Sequence, residues 1–418
     1  MTKRIERIIL LTLFILCGWS IVAVLSAGLN YPGHESLYVK QSAAVAIGFV
    51  LLFLLKNFSY KFIEELSPLF YLISIFLLVS LMFFGTEIHG SRRWFNLGII
   101  YFQPSEFAKF ALIFFTSFML QKKNSLFLPL LALVSLAFLV AIQPDAGTAF
   151  VFFPVFLGML SVSRLNVRWL AALIVLSSIS LIVVFAQSYL YFRGSTLLQL
   201  RFILIPIVIS ALIAVLFNEM KRINKRLSYT MLAVVLLLFW AAAGFGVAVA
   251  DSLKEYHQKR IVSFIIPELD PTGVGYSTRQ SILAVGSGGV FGRGFFQGTQ
   301  TQLGFLPARH NDLIFSTIAE ETGFIGASVL LLLLALLGWQ MIKIINRTED
   351  YGGQLIASGV FCLFVSQVAL NVFVAMGLVP VIGIQLPFVS YGGSSLVLFF
   401  ALSGVLLNIN RRVEVIAR

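Results

Sequence analysis

The chain is short of charge. Asp, Glu, Lys and Arg make up 11% of its 418 residues, against about 25% in soluble domains. A soluble chain of this length needs more polar surface than that, which excludes a cytosolic enzyme. Cysteine and histidine are scarce too, with two and four residues. Cys17 and Cys362 sit inside long apolar runs with no Cys or His at metal spacing, so they read as small hydrophobes. A disulfide scaffold is therefore excluded, and metal ligation by histidine has little support, since the four His show no paired spacing. No Gly-x-Ser-x-Gly elbow accompanies His310 and Asp312, which leaves Ser-His-Asp hydrolysis little support.

Apolar residues are abundant, at 59% with 41 Phe and a mean hydropathy of +0.96. A membrane-crossing helix needs roughly 20 of them. Runs of suitable length predict an all-α polytopic membrane protein of about 12 spans, a single membrane domain over 1–418. The spans fall at 8–28, 39–55, 66–84, 105–121, 126–142, 147–163, 169–186, 202–217, 229–250, 314–340, 355–377 and 390–408. The first resembles a signal peptide behind Lys3, Arg4 and Arg7, but its apolar run exceeds the usual ~7–15 residues. Gln143-Pro-Asp145 interrupts 126–163, which is compatible with two spans or a re-entrant pair. One long polar connection remains, 251–313, rich in Gly, Pro and aromatics.

The net charge of +12 and the pI near 9.8 would in a soluble chain suggest nucleic acid. Twelve spans put both termini on one side, and basic residues mark the cytoplasmic side. With the termini inside, the inner segments hold 18 of the 30 basic and seven of the 18 acidic residues, a net +11, and the outer face is left with +1. The excess is topological, and nucleic acid drops out as a partner.

Polar residues bordering apolar spans are costly and are functional candidates. Three outer regions hold them. In Gln103-Pro-Ser-Glu-Phe-Ala-Lys109, Pro104 and Ser105 suit a helix start, Glu106 complements the helix dipole, and Glu106 and Lys109 are spaced to pair. The pair reads either as an interfacial ion pair or, with Arg92 or Arg93, as part of a cavity for an anionic group. Asp145 in Gln143-Pro-Asp-Ala-Gly-Thr148 fits ordinary turn chemistry. In 251–313, the Gly-rich stretches at 286–289, 292–294 and 298 allow close backbone approach, but no GKS or GKT makes a phosphate loop of them. Asp312, beside Arg309 and His310 and just before an apolar span, fits a general base. It equally fits a helix N-cap, and one residue can do both.

These segments resemble the SEDS family (shape, elongation, division and sporulation) of membrane peptidoglycan glycosyltransferases. The resemblance rests on Arg93-Trp94, Phe102-Gln-Pro-Ser-Glu-Phe-Ala-Lys109, Gln143-Pro-Asp-Ala-Gly-Thr148, the loop 286–312, and Pro380-Val-Ile-Gly-Ile-Gln-Leu-Pro-Phe-Val-Ser-Tyr-Gly-Gly-Ser394. Gly298-Thr-Gln-Thr-Gln302 followed by Phe305-Leu-Pro looks like the elongation branch rather than the division branch. The resemblance implies polymerisation of lipid II at the outer face of the bacterial cytoplasmic membrane. The family's essential aspartate falls on Asp312, as general base on the acceptor's 4-hydroxyl, with undecaprenyl pyrophosphate leaving. Its Glu, Lys and Arg fall on Glu106, Lys109 and Arg93, and Gln300, Arg309, His310 and Ser390 lie in its motifs as further substrate-binding candidates. It also implies a class B penicillin-binding protein as transpeptidase partner, alongside other elongation-machinery membrane proteins.

The chain departs from the family at Ala308, where Glu is usual, and at Leu313, where Phe is usual. The family core has ten spans, so twelve imply a two-helix insertion within 169–250. A divalent cation, Mg2+ or Mn2+, is chemically compatible with the leaving group. Glu106, Asp145 and Asp312 are the available ligands, though no spacing argues for a metal site. The rivals to an enzyme are a lipid II flippase, whose polar residues would gather near the bilayer midplane in a repeat, and a non-catalytic scaffold.

Overall fold

The computed structural model describes residues 2–29, 36–88, 91–96, 101–123, 126–143, 145–164 and 274–416. Met1–Arg164 and Tyr276–Arg418 form one compact unit. In chain order its helices are α1 (Thr2–Gly28), α2 (Leu37–Asn57), α3 (Tyr60–Glu65) and α4 (Ser67–Phe84), then a small sheet, then α5 (Pro104–Lys123), α6 (Phe127–Ile142) and α7 (Ala146–Ser161). After the undescribed stretch come α8 (Val274–Ser287), α9 (Thr299–Gln302), α10 (Ile314–Arg347), α11 (Tyr351–Ala375) and α12 (Gly393–Ile416).

Nine of the twelve expected spans coincide with helices in the described residues; 169–186, 202–217 and 229–250, and the insertion assigned to 169–250, lie outside them. Helices α1, α2, α4, α10, α11 and α12 are long and apolar enough to cross a membrane. α6 and α7, of 16 residues each, rise about 24 Å at 1.5 Å per residue, short of a hydrocarbon core of about 30 Å. The outer surfaces of α1, α4 and α6 are lined by exposed Phe14, Phe76, Phe83 and Phe127, as lipid-facing helices require.

Small residues set the closest seams. A Cβ on Gly404 would stand 2.6 Å from the Leu52 carbonyl, so α12 lies directly on α2. Gly158 of α7 receives the Cys362 side chain of α11, and Ser358 Oγ donates to the Gly158 carbonyl at 2.7 Å. Both thiols are free, and Cys17 is buried.

Two features add detail to the sequence-based expectation. A three-stranded antiparallel sheet, β1 (Thr86–Ile88), β2 (Ser91–Asn96) and β3 (Tyr101–Phe102), caps the end of α4, where only a connection was expected. Its register pairs Glu87 with Arg92 and Phe95 with Phe102. The second concerns 251–313, whose composition is too structured for a mere linker and whose described part is folded. Residues 274–287 are helical, and 288–294 fold into a break in α10 at Gly323, where φ is +67°. The break orphans main-chain groups, and the loop satisfies them. Arg293 N and Gly294 N donate to the carbonyls of Glu320 and Glu321, both at 3.0 Å. Phe324 N and Ile325 N donate to Gly289 and Val290 at 2.9 and 3.2 Å. A side chain at Gly288 or Gly292 would collide with α10 backbone, so these glycines permit the insertion.

The bundle has two polar ends. At one, Glu64 of α3 accepts from Ser117 and Gln121 of α5, and Tyr60 donates to Asp350 at 2.6 Å. Burial raises the Glu64 carboxyl to about 7, against the opposing hydrogen bond from Ser117. The other end gathers the C-termini of α1 and α4, the sheet, and the N-termini of α5, α7, α10 and α12.

Candidate active site

Asp312 lies between a tight turn and the first residue of α10. Leu313, not Asp312, occupies the N-cap position and makes no side-chain cap bond there. The turn begins at Ala308, held at φ +47°, a conformation unusual for a side-chain-bearing residue. Ala308's carbonyl accepts from Asn311 N at 3.0 Å. The 380–392 segment then sews this turn in place. Tyr391 N donates to the His310 carbonyl at 2.9 Å, and Ser390 Oγ donates to the Asn311 carbonyl at 2.7 Å. Asn371 Nδ2, from α11, donates to the carbonyls of Asp312 and Ile384 at 2.8 and 2.7 Å. Gly383, at φ +75°, faces the carboxylate: a Cβ there would lie 3.6 Å from Asp312 Oδ2.

The 380–392 segment is itself anchored from α1 and α2. Buried Gln41 donates to Ser20 Oγ at 2.9 Å and to the Ser390 carbonyl at 3.1 Å, and Ser20 Oγ donates to the Val389 carbonyl at 2.7 Å. His310 and Tyr391 meet edge to face at 5.8 Å. Burial, and then the neighbouring Tyr101, push the Tyr391 hydroxyl above its ordinary value, so it stays a neutral donor.

A second polar group adjoins the first. Asp145 caps α7, accepting from Thr148 N at 3.3 Å. It also accepts from Gln103 Nε2 at 3.1 Å and pairs with Arg93 Nη1 at 3.8 Å. Arg93 Nε donates to the Gln143 carbonyl at 3.2 Å. Asp145 is thus the hub joining β2, α5 and α7, beyond the turn role its sequence suggested. Ser394 ties this group to α12, accepting from Gln103 N at 3.2 Å and donating to the Tyr101 carbonyl at 2.9 Å. Gly147 presses on the Ile382 carbonyl, one residue from the glycine facing Asp312.

Lys109 Nζ meets Glu106 Oε1 at 2.6 Å, with side chains only 2% and 7% exposed. The i, i+3 pairing expected on α5 is present, and it is shut off from solvent rather than lining an open cavity. Arg92 is exposed and pairs with Glu87 at 3.5 Å on the sheet surface.

The structure therefore brings Asp312, His310 and Ser390 together, and places Arg93 and Asp145 on the adjoining side of the 382–384 backbone. It puts Arg309 elsewhere. That side chain is buried, and its guanidinium donates to the Ala27 carbonyl at 2.8 Å and to the Thr301 carbonyl, fastening α9 to the end of α1. Gln300 sits on α9, its amide held by Glu320 Oε1 at 2.7 Å. Sequence reasoning passed over Asn371, Gln41, Gly383 and Glu320. For Gln41 and Asn371 the available signal was a polar residue inside an apolar run.

Metal chemistry has no gathered ligand set. Among the described residues no three His, Cys, Asp or Glu side chains converge on a common point. Glu106 is engaged by Lys109, and Asp145 by Arg93, Gln103 and Thr148.

Helices long enough to span a bilayer, closing at one end over an aspartate whose main-chain turn is held by hydrogen bonds, define a polytopic membrane protein with a site at the edge of its bundle. A family model described as a cell cycle protein, that of FtsW, RodA and SpoVE, matches residues 5–204 and 205–414. The chain belongs to this family, the one its motifs resemble. Peptidoglycan glycosyltransferase RodA of Treponema pallidum is 31% identical, over 97% of this chain and 98% of that protein. Stage V sporulation protein E of Bacillus subtilis is 32% identical, over 97% and 95%. Among solved structures, a chain described under structural coordination of polymerization and crosslinking by a peptidoglycan synthase complex superposes with a TM-score of 0.66 and 26% identity, covering 97% of each chain. The rod shape determining protein RodA of Thermus thermophilus gives 0.58 and 25%, over 96% and 95%.

Proposed function

We propose that the chain is a peptidoglycan glycosyltransferase that polymerises lipid II into glycan strands at the outer face of the cytoplasmic membrane, in the service of cell elongation. The observation that carries this reading is the setting of Asp312. Its turn is pinned through Asn371, Ser390 and Tyr391, and its carboxylate faces Gly383, where a Cβ would lie 3.6 Å from Oδ2. The names of the similar proteins support the reaction class. The outward-basic deficit of the sequence supports the side.

In the proposed step the Asp312 carboxylate takes the proton of the acceptor sugar's 4-hydroxyl. The freed oxygen forms a bond to the donor's anomeric carbon. The bond from that carbon to the phosphate oxygen breaks, and undecaprenyl pyrophosphate departs with the electron pair. A positioned base contributes roughly 10²–10⁴-fold. Arg93, partly accessible beside Asp145, and Lys109, which keeps donors beyond the one given to Glu106, are the cations assigned to the growing pyrophosphate charge. His310, Ser390 and Gln300 complete the proposed substrate contacts. Arg309 contributes by holding the turn.

The likeness to a synthase complex supports a class B penicillin-binding protein as partner, the transpeptidase that crosslinks the product. The test is polymerisation of labelled lipid II by the purified full chain with that partner in detergent, read as a glycan ladder on a gel. The wild type makes polymer and Asp312→Ala makes none. Detergent removes sidedness, so a flippase yields no ladder; an empty wild-type lane, or a full ladder from Asp312→Ala, refutes the proposal.

A further inference from the structure

Glu320 is a carboxylate in the interior of α10, with no exposed surface, and the reaction above makes no use of it. Burying such a group is costly unless its oxygens are fully engaged. They are engaged chiefly by one short turn, with Ser287 Oγ of α8 donating a longer bond to Oε1 at 3.5 Å. Oε1 accepts from Gln300 N at 2.7 Å and from Thr299 Oγ1 at 3.3 Å. Oε2 accepts from Thr301 N at 3.0 Å and Thr301 Oγ1 at 2.7 Å. A Cβ on Gly298 would lie 2.6 Å from Oε2, so a glycine is needed for the turn to sit this close.

The turn leads on to Asp312. The Thr301 carbonyl accepts from Arg309 Nη1, and the Gln300 carbonyl accepts from Leu306 N at 3.1 Å. Arg309's own carbonyl accepts from Thr317 Oγ1 at 3.2 Å. Glu320 therefore holds α9, α9 holds the Arg309 guanidinium, and Arg309 lies three residues before Asp312 on the same tight turn. Asp312 stands two residues before α10 and Glu320 about two turns into it, so the clamp and the helix close a ring of contacts through the turn that bears the aspartate.

We infer that Glu320 is a positioning residue for the glycosyl transfer, setting the place of Asp312 through α9 and Arg309. This rests on the reading of Asp312 as the base. A carboxylate is required because every partner is a donor; an amide in its place turns an N–H group toward N–H and O–H groups. The expected signature is a fall in turnover with substrate affinity kept, since the group touches no substrate.

The test measures kcat and KM for lipid II polymerisation, with thermal midpoints, for the full chain in detergent as wild type, Glu320→Gln, Gly298→Ala and Asp312→Asn. Displacing a reactive group by about 1 Å can cost on the order of 100-fold, so Glu320→Gln is expected to lose roughly 10- to 100-fold in kcat with KM within about threefold. Gly298→Ala, pushing on the same carboxylate from the turn, is expected to reproduce this split. Wild-type turnover in Glu320→Gln, a loss confined to KM, or losses in both variants that merely track a lowered thermal midpoint overturn the inference. Full activity in Asp312→Asn overturns the underlying reading instead, which separates the two failures.

Discussion

The Lys109–Glu106 pair is the sharpest place to separate holding the fold from doing the chemistry. Its atoms meet at 2.6 Å with side chains 2% and 7% exposed, and Glu106 Oε2 has no hydrogen-bond partner among the described residues. Lys109→Met removes the group that Oε1 meets and leaves a buried carboxylate uncompensated. Breaking a buried pair from one side costs about 3–5 kcal/mol, whereas replacing both partners by neutral groups is often neutral. Glu106→Gln is milder, because the amide oxygen still accepts from Lys109. The double variant Glu106→Gln/Lys109→Met is thus expected to recover most of the loss, with a coupling of at least about 2 kcal/mol. At about 2–4 °C per kcal/mol for domains of 150–250 residues, and less for a longer chain, Lys109→Met lowers the thermal midpoint by several degrees. The assay is a thermal-shift cycle on the four proteins in detergent, with lipid II polymerisation measured on the same samples. Stability returns in the double variant and activity does not, because the proposed role of Lys109 toward pyrophosphate is lost. Additive midpoint shifts refute the buried-pair argument, and recovery of activity in the double variant refutes the role in the reaction.

Three further outcomes follow from the packing. Glu64 is raised to about 7 by burial, so its neutral form stabilises the fold fully below about pH 4.5, and that contribution fades as pH rises through about 7. Glu64→Gln keeps an acceptor for Ser117 and Gln121, so its thermal midpoint should match wild type near pH 5 and exceed it near pH 8; parallel pH curves contradict this. Gly147→Ala drives a methyl into the Ile382 carbonyl beside the glycine facing Asp312, and should cut polymerisation by about tenfold or more with KM little changed; unaltered turnover shows that the 382–384 backbone does not register the site. Gly404→Ala meets the Leu52 carbonyl at 2.6 Å and should cost about 1–3 kcal/mol as an overpacked seam, read as a lower thermal midpoint with kcat preserved in the folded fraction.

The spans were legible because apolar runs of this length have one outcome in a bilayer, and nine of them are helices here. The Glu106–Lys109 pairing was legible because i, i+3 geometry is local. The sheet was not: its strands of three, six and two residues are too short for an alternating pattern to stand out between long helices. The insertion of 288–294 into α10 was hidden for a different reason. It depends on hydrogen bonds between residues about 30 apart in the chain, and Gly323 looks like any other glycine until its φ is known. Arg309 shows the limit of motif reading. Its place next to His310 suggested a substrate contact, and only the carbonyls of Ala27 and Thr301 reveal where its guanidinium goes.

The central claim is that Asp312 acts as the base in glycosyl transfer, and the initial rate of undecaprenyl pyrophosphate release from lipid II, compared between wild type and Asp312→Asn, tests it most directly. Asparagine keeps the size and the main-chain anchoring through Asn371 but cannot take the proton. The rate should fall by at least about 100-fold, the smaller contribution expected of a positioned base, with lipid II binding and thermal midpoint unchanged. An Asp312→Asn enzyme that releases pyrophosphate at close to the wild-type rate would contradict it.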